Sequence, residues 1–222
     1  IIGKNIKLFL NKPIIYWVIN TALSANLFDD VIVSTDCEEI ADISRSYGAS
    51  VPGLRQAVFS DDYVSVVDVI RYEIGKLGLK EETNQLISLL YATAPMIEGS
   101  DIKEAVDNIV DFDFAMSVAP FAYPIQRALV IKKNTNEIQM LNQNNFFKRS
   151  QDLQKTFHDA AHFIVGKAQS WLKKTPMLNG KTYPVLIPSH RVQDIDEEED
   201  WVEAEKKFSA IRANNSNMFK RK

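Results

Sequence analysis

The feature that most restricts the fold is an alternation of short apolar runs, rich in branched residues, with longer segments whose apolar residues recur at helical spacing. Pro13 opens the first such segment, through Ile14, Ile15, Val18, Ile19, Ala22 and Leu23; it suits a first helical position, and Asp29-Asp30 read as the stop. Val31-Ile32-Val33 then reads as a short buried strand that ends at Ser34-Thr35-Asp36. Residues 38–47 predict a helix closed by Gly48, and residues 64–77 another, through Val67, Ile70, Ile74 and Leu77. An apolar strand over 85–90 runs into Tyr91-Ala92-Thr93-Ala94-Pro95. Ser100-Asp101 and Glu104 mark a helix start, and 112–118 reads as the next strand.

Strands alternating with helices imply right-handed crossovers, and so an α/β, Rossmann-like fold: a mostly parallel sheet with helices on both faces. The rhythm breaks where residues 128–131 and 137–141 flank Asn134-Thr135-Asn136, a hairpin signal. An inserted lobe over about 123–165 is therefore expected, serving oligomerisation or substrate. The core resumes with a helix over 167–173, a strand over 183–187 and a last helix carrying Trp201, Ala204, Glu205, Phe208 and Ile211. This gives one domain over 1–213 and a disordered polar tail over 214–222.

A chain of 222 residues, 45% hydrophobic, can bury a core of that size. Its net charge of −3 argues against bulk binding of nucleic acid, so an anionic substrate must be held by local Lys and Arg. No run approaches the roughly 18 apolar residues of a membrane span, and Ile1-Ile2-Gly3-Lys4-Asn5 lacks a signal-peptide layout. The single Cys37 has no partner for a disulfide and reads as a packed small side chain. A cytoplasmic setting follows as the expectation.

In an open α/β sheet, ligands bind beyond the carboxyl ends of the strands. After the run Tyr183-Pro184-Val185-Leu186-Ile187-Pro188 comes Arg191-Val192-Gln193-Asp194-Ile195-Asp196, which places two carboxylates one residue apart near a strand end. Such a pair suits Mg²⁺, a hard cation that keeps much of its coordination for water and phosphates. The same acidic loop, with Glu197 to Asp200, also suits the first turn of a helix. Lys4 and Lys7 could neutralise phosphates, and Arg55 could read a base or ribose; solvated loops and a surface ion pair explain them too. Arg149, in Arg149-Ser150-Gln151-Asp152-Leu153, has the planar fork that grips a carboxylate. His158-Asp159-Ala160-Ala161-His162 mimics a zinc-protease spacing, but Asp159 stands where Glu is expected and Phe163-Ile164-Val165-Gly166 reads as strand.

These blocks, in this order, resemble the CMP-sugar-acid cytidylyltransferases, relatives of the CMP-sialic acid synthetases. The matching series is Gly3-Lys4-Asn5-Ile6-Lys7 with Lys12-Pro13-Ile14, Val31 to Asp36, Leu90 to Pro95, Pro124-Ile125-Gln126-Arg127-Ala128, Arg149 to Leu153, His158-Asp159-Ala160, and Arg191 to Asp196 with Asp200-Trp201. Tyr91 to Pro95, Pro124 to Ala128 and Arg149 to Leu153 look specific to the pseudaminic acid branch; the wider family has Gln-Pro-Thr-Ser-Pro at the first of them.

The resemblance implies transfer of CMP from CTP to the anomeric hydroxyl of a nine-carbon sugar acid. Pseudaminic acid is expected, with sialic or legionaminic acid as alternatives, and a catalytically silent nucleotide-sugar binder as a further one. It implies Mg²⁺ on Asp194 and Asp196, with Lys4 as the third catalytic residue. It also implies nucleotide contacts from Lys4, Asn5, Lys7, Arg55 and Ser65, and sugar contacts from Tyr91, Gln126, Arg127, Arg149, Gln151, His158 and Asp159. The insertion resembles the family's dimerisation lobe, so a homodimer is expected, with neither nucleic acid nor membrane as partner. Relatives carry a strand and a glycine-rich basic loop ahead of the Lys-Asn pair. Both are expected before Ile1 in the natural protein, and an intact mass longer by a dozen or more residues would agree. The stretch from Arg55 to Asp62 also departs from the family's usual sequence.

Overall fold

A computed structural model describes residues 1–61, 63–80 and 85–219, of which 214–219 as backbone only. Asp62 and the Lys220 to Lys222 end of the expected tail lie outside the described residues. The chain opens with a 3-10 turn, Lys4–Ile6, whose preceding Gly3 has φ of 62°. A small ladder follows, β1 (Leu8–Phe9) and β2 (Lys12–Pro13). Helix α1 (Ile14–Ala25) starts just after Pro13 and stops at Asn26, a left-handed residue, ahead of the expected Asp29-Asp30. Helices α2 (Glu38–Ser46) and α3 (Val66–Lys76) precede β3 (Leu86–Leu90) and α4 (Gly99–Asn108). Then come β4 (Phe114–Pro120), the hairpin strands β5 (Leu129–Ile131) and β6 (Ile138–Met140), and the long β7 (Phe157–Lys167). Helix α5 (Ala168–Leu172), β8 (Thr182–Leu186) and α6 (Glu198–Phe219) complete the chain.

The main sheet has the order β3-β7-β4-β8. β4 pairs parallel to β8, while β7 pairs antiparallel to both β3 and β4, so β3, β4 and β8 share the expected common direction and β7, reversed, makes the sheet mixed. The reason is topological: β7 returns from the inserted lobe without a helical crossover, and a strand that returns so runs backwards. It also moves the end of the lobe. Phe157 to Val165, expected inside the insertion, belongs to the core sheet, so the inserted part lies before Phe157. Val31 to Val33 forms only a parallel bridge, Ile32 to Ser50. Helix α6 continues through Phe219, so the tail expected from Asn214 begins as helix.

Period-two alternation explains the two layers. Ala115, Ala119, Phe163 and Val165 pack with Val18, Ile102 and Ile109 from α1 and α4 and the residue that follows it. Phe114, Met116 and Ile164 face the other way, onto Ile74 of α3 and Trp171 of α5. Gly166 permits that second layer, because a Cβ there would lie 2.5 Å from the Phe114 ring and against the Trp171 indole. A third cluster ties α6 to the amino end: Trp201, Ala204 and Phe208 with Phe9, Ile14, Met96 and Ile195. It fixes where the acidic loop stands.

Candidate active site

Asp194 and Asp196 flank Ile195, which is 1% exposed in that third cluster. Burying such a side chain contributes about 1.5–3 kcal/mol. The same alternation that sinks Ile195 turns both carboxylates outward, where they are exposed. They do not sit on the tip of β8, as expected, but beyond the intervening 3-10 turn Ser189–Arg191. Asp200 secures the far side of the pair. Its carboxylate accepts from the backbone N–H of Glu197 (2.9 Å) and Asp196 (3.1 Å) and from Gln193 Nε2 (3.2 Å). The two backbone bonds hold the Asp200 carboxyl below its usual range.

Lys4 reaches the same corner from the amino end, its Nζ 3.6 Å from Asp196 Oδ1 and donating to the Ile195 carbonyl. Lys7 pairs with Glu198 and lies over the Trp201 ring. Asn5 belongs to the same turn, which packs against α1 and α2. The structure thus joins Lys4 to Asp196, holds Lys7 nearby on Glu198, and places Asn5 in the same turn as Lys4.

A cleft of about 300 Å³ opens beside Asp194. Its walls are Ala119 and Pro120 of β4, His158 to Ala161 of β7, and Ser189, Val192, Gln193 and Asp194. The β7 wall is shaped by a bulge opposite Ser117, where the β4–β7 register shifts. Ser117 Oγ accepts from the N–H groups of His162 (3.2 Å) and Phe163 (3.1 Å) and donates to the Phe163 carbonyl. Ala161 takes the left-handed φ of 51°, its N–H donating to Asp159 Oδ1 at 2.8 Å. Tyr91 stands close enough that burial, and then the Asp159 charge, raise its phenol above the ordinary range.

His158 lines this cleft with its Nδ1 2.7 Å from the Asp159 carbonyl. A carbonyl only accepts, so Nδ1 donates, and in the neutral ring Nε2 keeps the lone pair. His162, four residues on, is 2% exposed, and burial lowers it to about 4, although the Asp101 charge opposes this. Both histidines lie on a strand, which removes the zinc-protease helix. Among the described residues no group of three His, Cys, Asp or Glu could hold a metal ion. Asp194 and Asp196 alone suit an ion that completes its shell with phosphate and water, as Mg²⁺ does.

The remaining expected residues lie elsewhere. Arg55 binds the 34–36 loop: Nη1 to the Ser34 carbonyl (3.3 Å), Nη2 to Asp36 Oδ1 (3.8 Å), and its own N–H to the Thr35 carbonyl (2.7 Å). Ser65 caps α3, accepting from Asp68 N–H at 3.2 Å and donating to Asp68 Oδ2 at 2.8 Å, which occupies its hydroxyl locally. Gln126, Arg127, Arg149 and Gln151 are on the lobe and do not line the cleft. Gln126 donates to the Gln154 carbonyl (2.8 Å), Arg127 to Ser150 Oγ (3.3 Å), and Arg149 faces Asp152 (3.8 Å) while largely exposed. His190 lines a separate hollow of about 620 Å³ with Glu98, Arg191 and Lys207, a hollow that neither Asp194 nor Asp196 lines.

Sequence reasoning missed Arg191, which is 7% exposed and grips Asp101 through two bonds of 2.7 and 2.8 Å, with Glu98 at 3.2 Å. Burial works against its charge, but Asp101 and then Glu98 more than offset this and hold it above its ordinary value. Asp101 also completes a capping box with Glu98 on α4. A helix-start signal at Asp101 was legible; its partner ninety residues away was not.

A cytidylyltransferase family model matches residues 1–218. A pseudaminic acid cytidylyltransferase of Campylobacter jejuni is 35% identical over 89% of this chain and 85% of its own length. N-acylneuraminate cytidylyltransferase A of Danio rerio is 32% identical over 92% of this chain and 46% of its own. Among solved structures, a CMP:2-keto-3-deoxy-manno-octonic acid synthetase complexed with CTP superposes with a TM-score of 0.66 at 13% identity, covering 97% of this chain and 93% of that one, a likeness of fold. Matched along almost all of its length, and with a Rossmann-like α/β fold, the chain belongs to the cytidylyltransferase family.

Proposed function

We propose that this protein transfers CMP from CTP to the anomeric hydroxyl of a nine-carbon sugar acid, pseudaminic acid, releasing pyrophosphate. The observation that carries this reading is the cleft in which Asp194, from the carboxyl side of the sheet, meets His158 and Asp159 of β7, beside its bulge. The relative at 35% identity supports the choice of sugar; those named for sialic and legionaminic acids stand at 32% and 26%.

Asp194 and Asp196 would hold Mg²⁺, which when bound neutralises charge on the phosphoryl oxygens. Lys4, beside Asp196, adds positive charge toward the triphosphate, and Asn5 and Lys7 extend that edge. The sugar hydroxyl oxygen attacks the α-phosphorus in line; the new O–P bond forms as the bridge to the β-phosphate breaks, and pyrophosphate carries off the electron pair. His158 Nε2, its lone pair directed by the Nδ1 bond, takes the hydroxyl proton. Asp159 orients the sugar from the same wall, with Tyr91 within reach of its charge as a further sugar contact. Arg149, with Gln126, Arg127 and Gln151, receives the sugar carboxylate from the lobe, and Arg55 positions the loop beside the nucleoside.

The lobe carries a reason for a second subunit. Tyr123, Leu129, Ile131, Ile138, Leu141 and Phe147 are exposed, Phe147 at 93% and Tyr123 at 84%. Apolar surface of this kind is usually covered by a partner, which supports a homodimer built on the lobe.

The direct test is pyrophosphate release from CTP and Mg²⁺ with pseudaminic, legionaminic and N-acetylneuraminic acids in turn. Turnover should be most efficient with pseudaminic acid. Greater efficiency with another acid would move the assignment to that substrate, and no release with any would leave a nucleotide-sugar binder.

A further inference from the structure

The two carboxylates of the acidic pair are held in different ways. Asp196 is fixed nearby: its N–H donates to Asp200, its side chain faces Lys4, and Ile195 beside it is buried. The Asp194 carboxylate pairs with no side chain among the described residues. Its position rests on the three residues before it, and these are gripped from two helices.

Arg191 is the first grip. Its fork spans Asp101 at the start of α4, its Nη1 also reaches the Met96 carbonyl at 3.5 Å, and its N–H closes the turn on the Pro188 carbonyl at 2.8 Å. His162, buried in the β7 bulge, lies close to Arg191 and Asp101. Lys207 of α6 is the second grip, its Nζ donating to the Val192 carbonyl at 2.9 Å and to Gln193 Oε1 at 2.8 Å. Gln193 passes the restraint on to Asp200. A bidentate Arg pair sets orientation as well as distance, which a lysine in its place would not.

We propose that Arg191 and Lys207 are positioning residues that set where Asp194 stands at the cleft. This rests on the reading of Asp194 as a ligand of the metal–nucleotide complex. Groups that orient a ligating carboxylate typically cost 10–100-fold in metal affinity or activity when changed, so Arg191→Lys should weaken Mn²⁺ binding in the presence of CTP by about tenfold or more. Lys207→Met, on a half-buried helix face, should weaken it by a smaller factor, about threefold, and leave melting unchanged.

The experiment measures Mn²⁺ affinity with CTP by electron paramagnetic resonance, and amide exchange over 189–196, in wild type, R191K, K207M, D194N and R191K/D194N. Faster exchange in R191K and K207M, with weaker Mn²⁺ binding and a double variant no worse than D194N, is the expected result. Wild-type Mn²⁺ affinity in R191K and K207M, with affinity lost in D194N, overturns the positioning role alone. Wild-type affinity in D194N itself overturns the assignment of Asp194, and the proposal with it. If R191K does not fold, K207M still decides: unchanged exchange and affinity in it refute the grip from α6.

Discussion

The acidic corner and the inserted lobe are built on opposite plans. At the corner, charged residues are tied to distant elements: Lys4 to Asp196, Arg191 to Asp101, Lys207 to Val192, all around the buried Ile195. On the lobe, β5 is exposed at all three positions, Arg127 and Arg149 tie only to other residues of the lobe, Ser150 and Asp152, and Gln151 is exposed. The difference teaches that the acidic corner is organised within one chain. The lobe is left open, with exposed apolar surface suited to a partner.

The sharpest way to break this contrast is at the corner. Asp196→Asn should lower CMP transfer by about a hundredfold or more while circular dichroism stays unchanged. Near-normal turnover would remove the metal from that position.

The preorganised region also predicts a pH response. His162 titrates near 4 when folded, below the roughly 6.5 of an unfolded histidine, so the unfolded chain binds its proton first as pH falls. Stability from this group is full above pH about 6.5 and declines toward pH 4, by up to about 3 kcal/mol. Chemical denaturation across that window should show the decline, and His162→Gln should flatten it; an equally steep profile in the variant would assign the loss to other groups.

On the lobe, Arg149→Ala should raise KM for the sugar acid about 10–100-fold, as expected for a charged hydrogen bond worth 1.5–3 kcal/mol, and leave KM for CTP alone. A rise in the CTP constant instead would place Arg149 with the nucleotide. Replacing Leu129 and Ile131 by Glu should weaken a lobe-built dimer by about tenfold or more, because charge is buried where apolar surface met. Light scattering would register it, and an unchanged mass would move the interface elsewhere. Smallest is Ser65→Ala. Losing the α3 cap should cost about 1 kcal/mol in stability with no change in KM for CTP; a raised KM would restore Ser65 to the nucleotide site.

The alternation of apolar runs and helical segments made the layered α/β class legible, along with α1, α2, α3, α4 and the β5–β6 hairpin. Ordered blocks singled out Asp194 and the His158-Asp159 segment, which line one cleft in the fold. The direction of β7 was not, because nothing local distinguishes a strand that returns antiparallel from one reached by crossover. Ser65 and Arg55 show the converse: each has a side chain fit for ligand contact, and each is engaged within its own neighbourhood.

What the sequence determined by itself is periodicity and chemical type: where apolar faces must be hidden, and which short segments carry carboxylates, ammonium groups and imidazoles. Tertiary structure alone decided which of these meet. Asp101 with Arg191, Lys207 with Val192, and His158 beside Asp194 are long-range juxtapositions, set by how buried faces pack, and packing depends on the whole core.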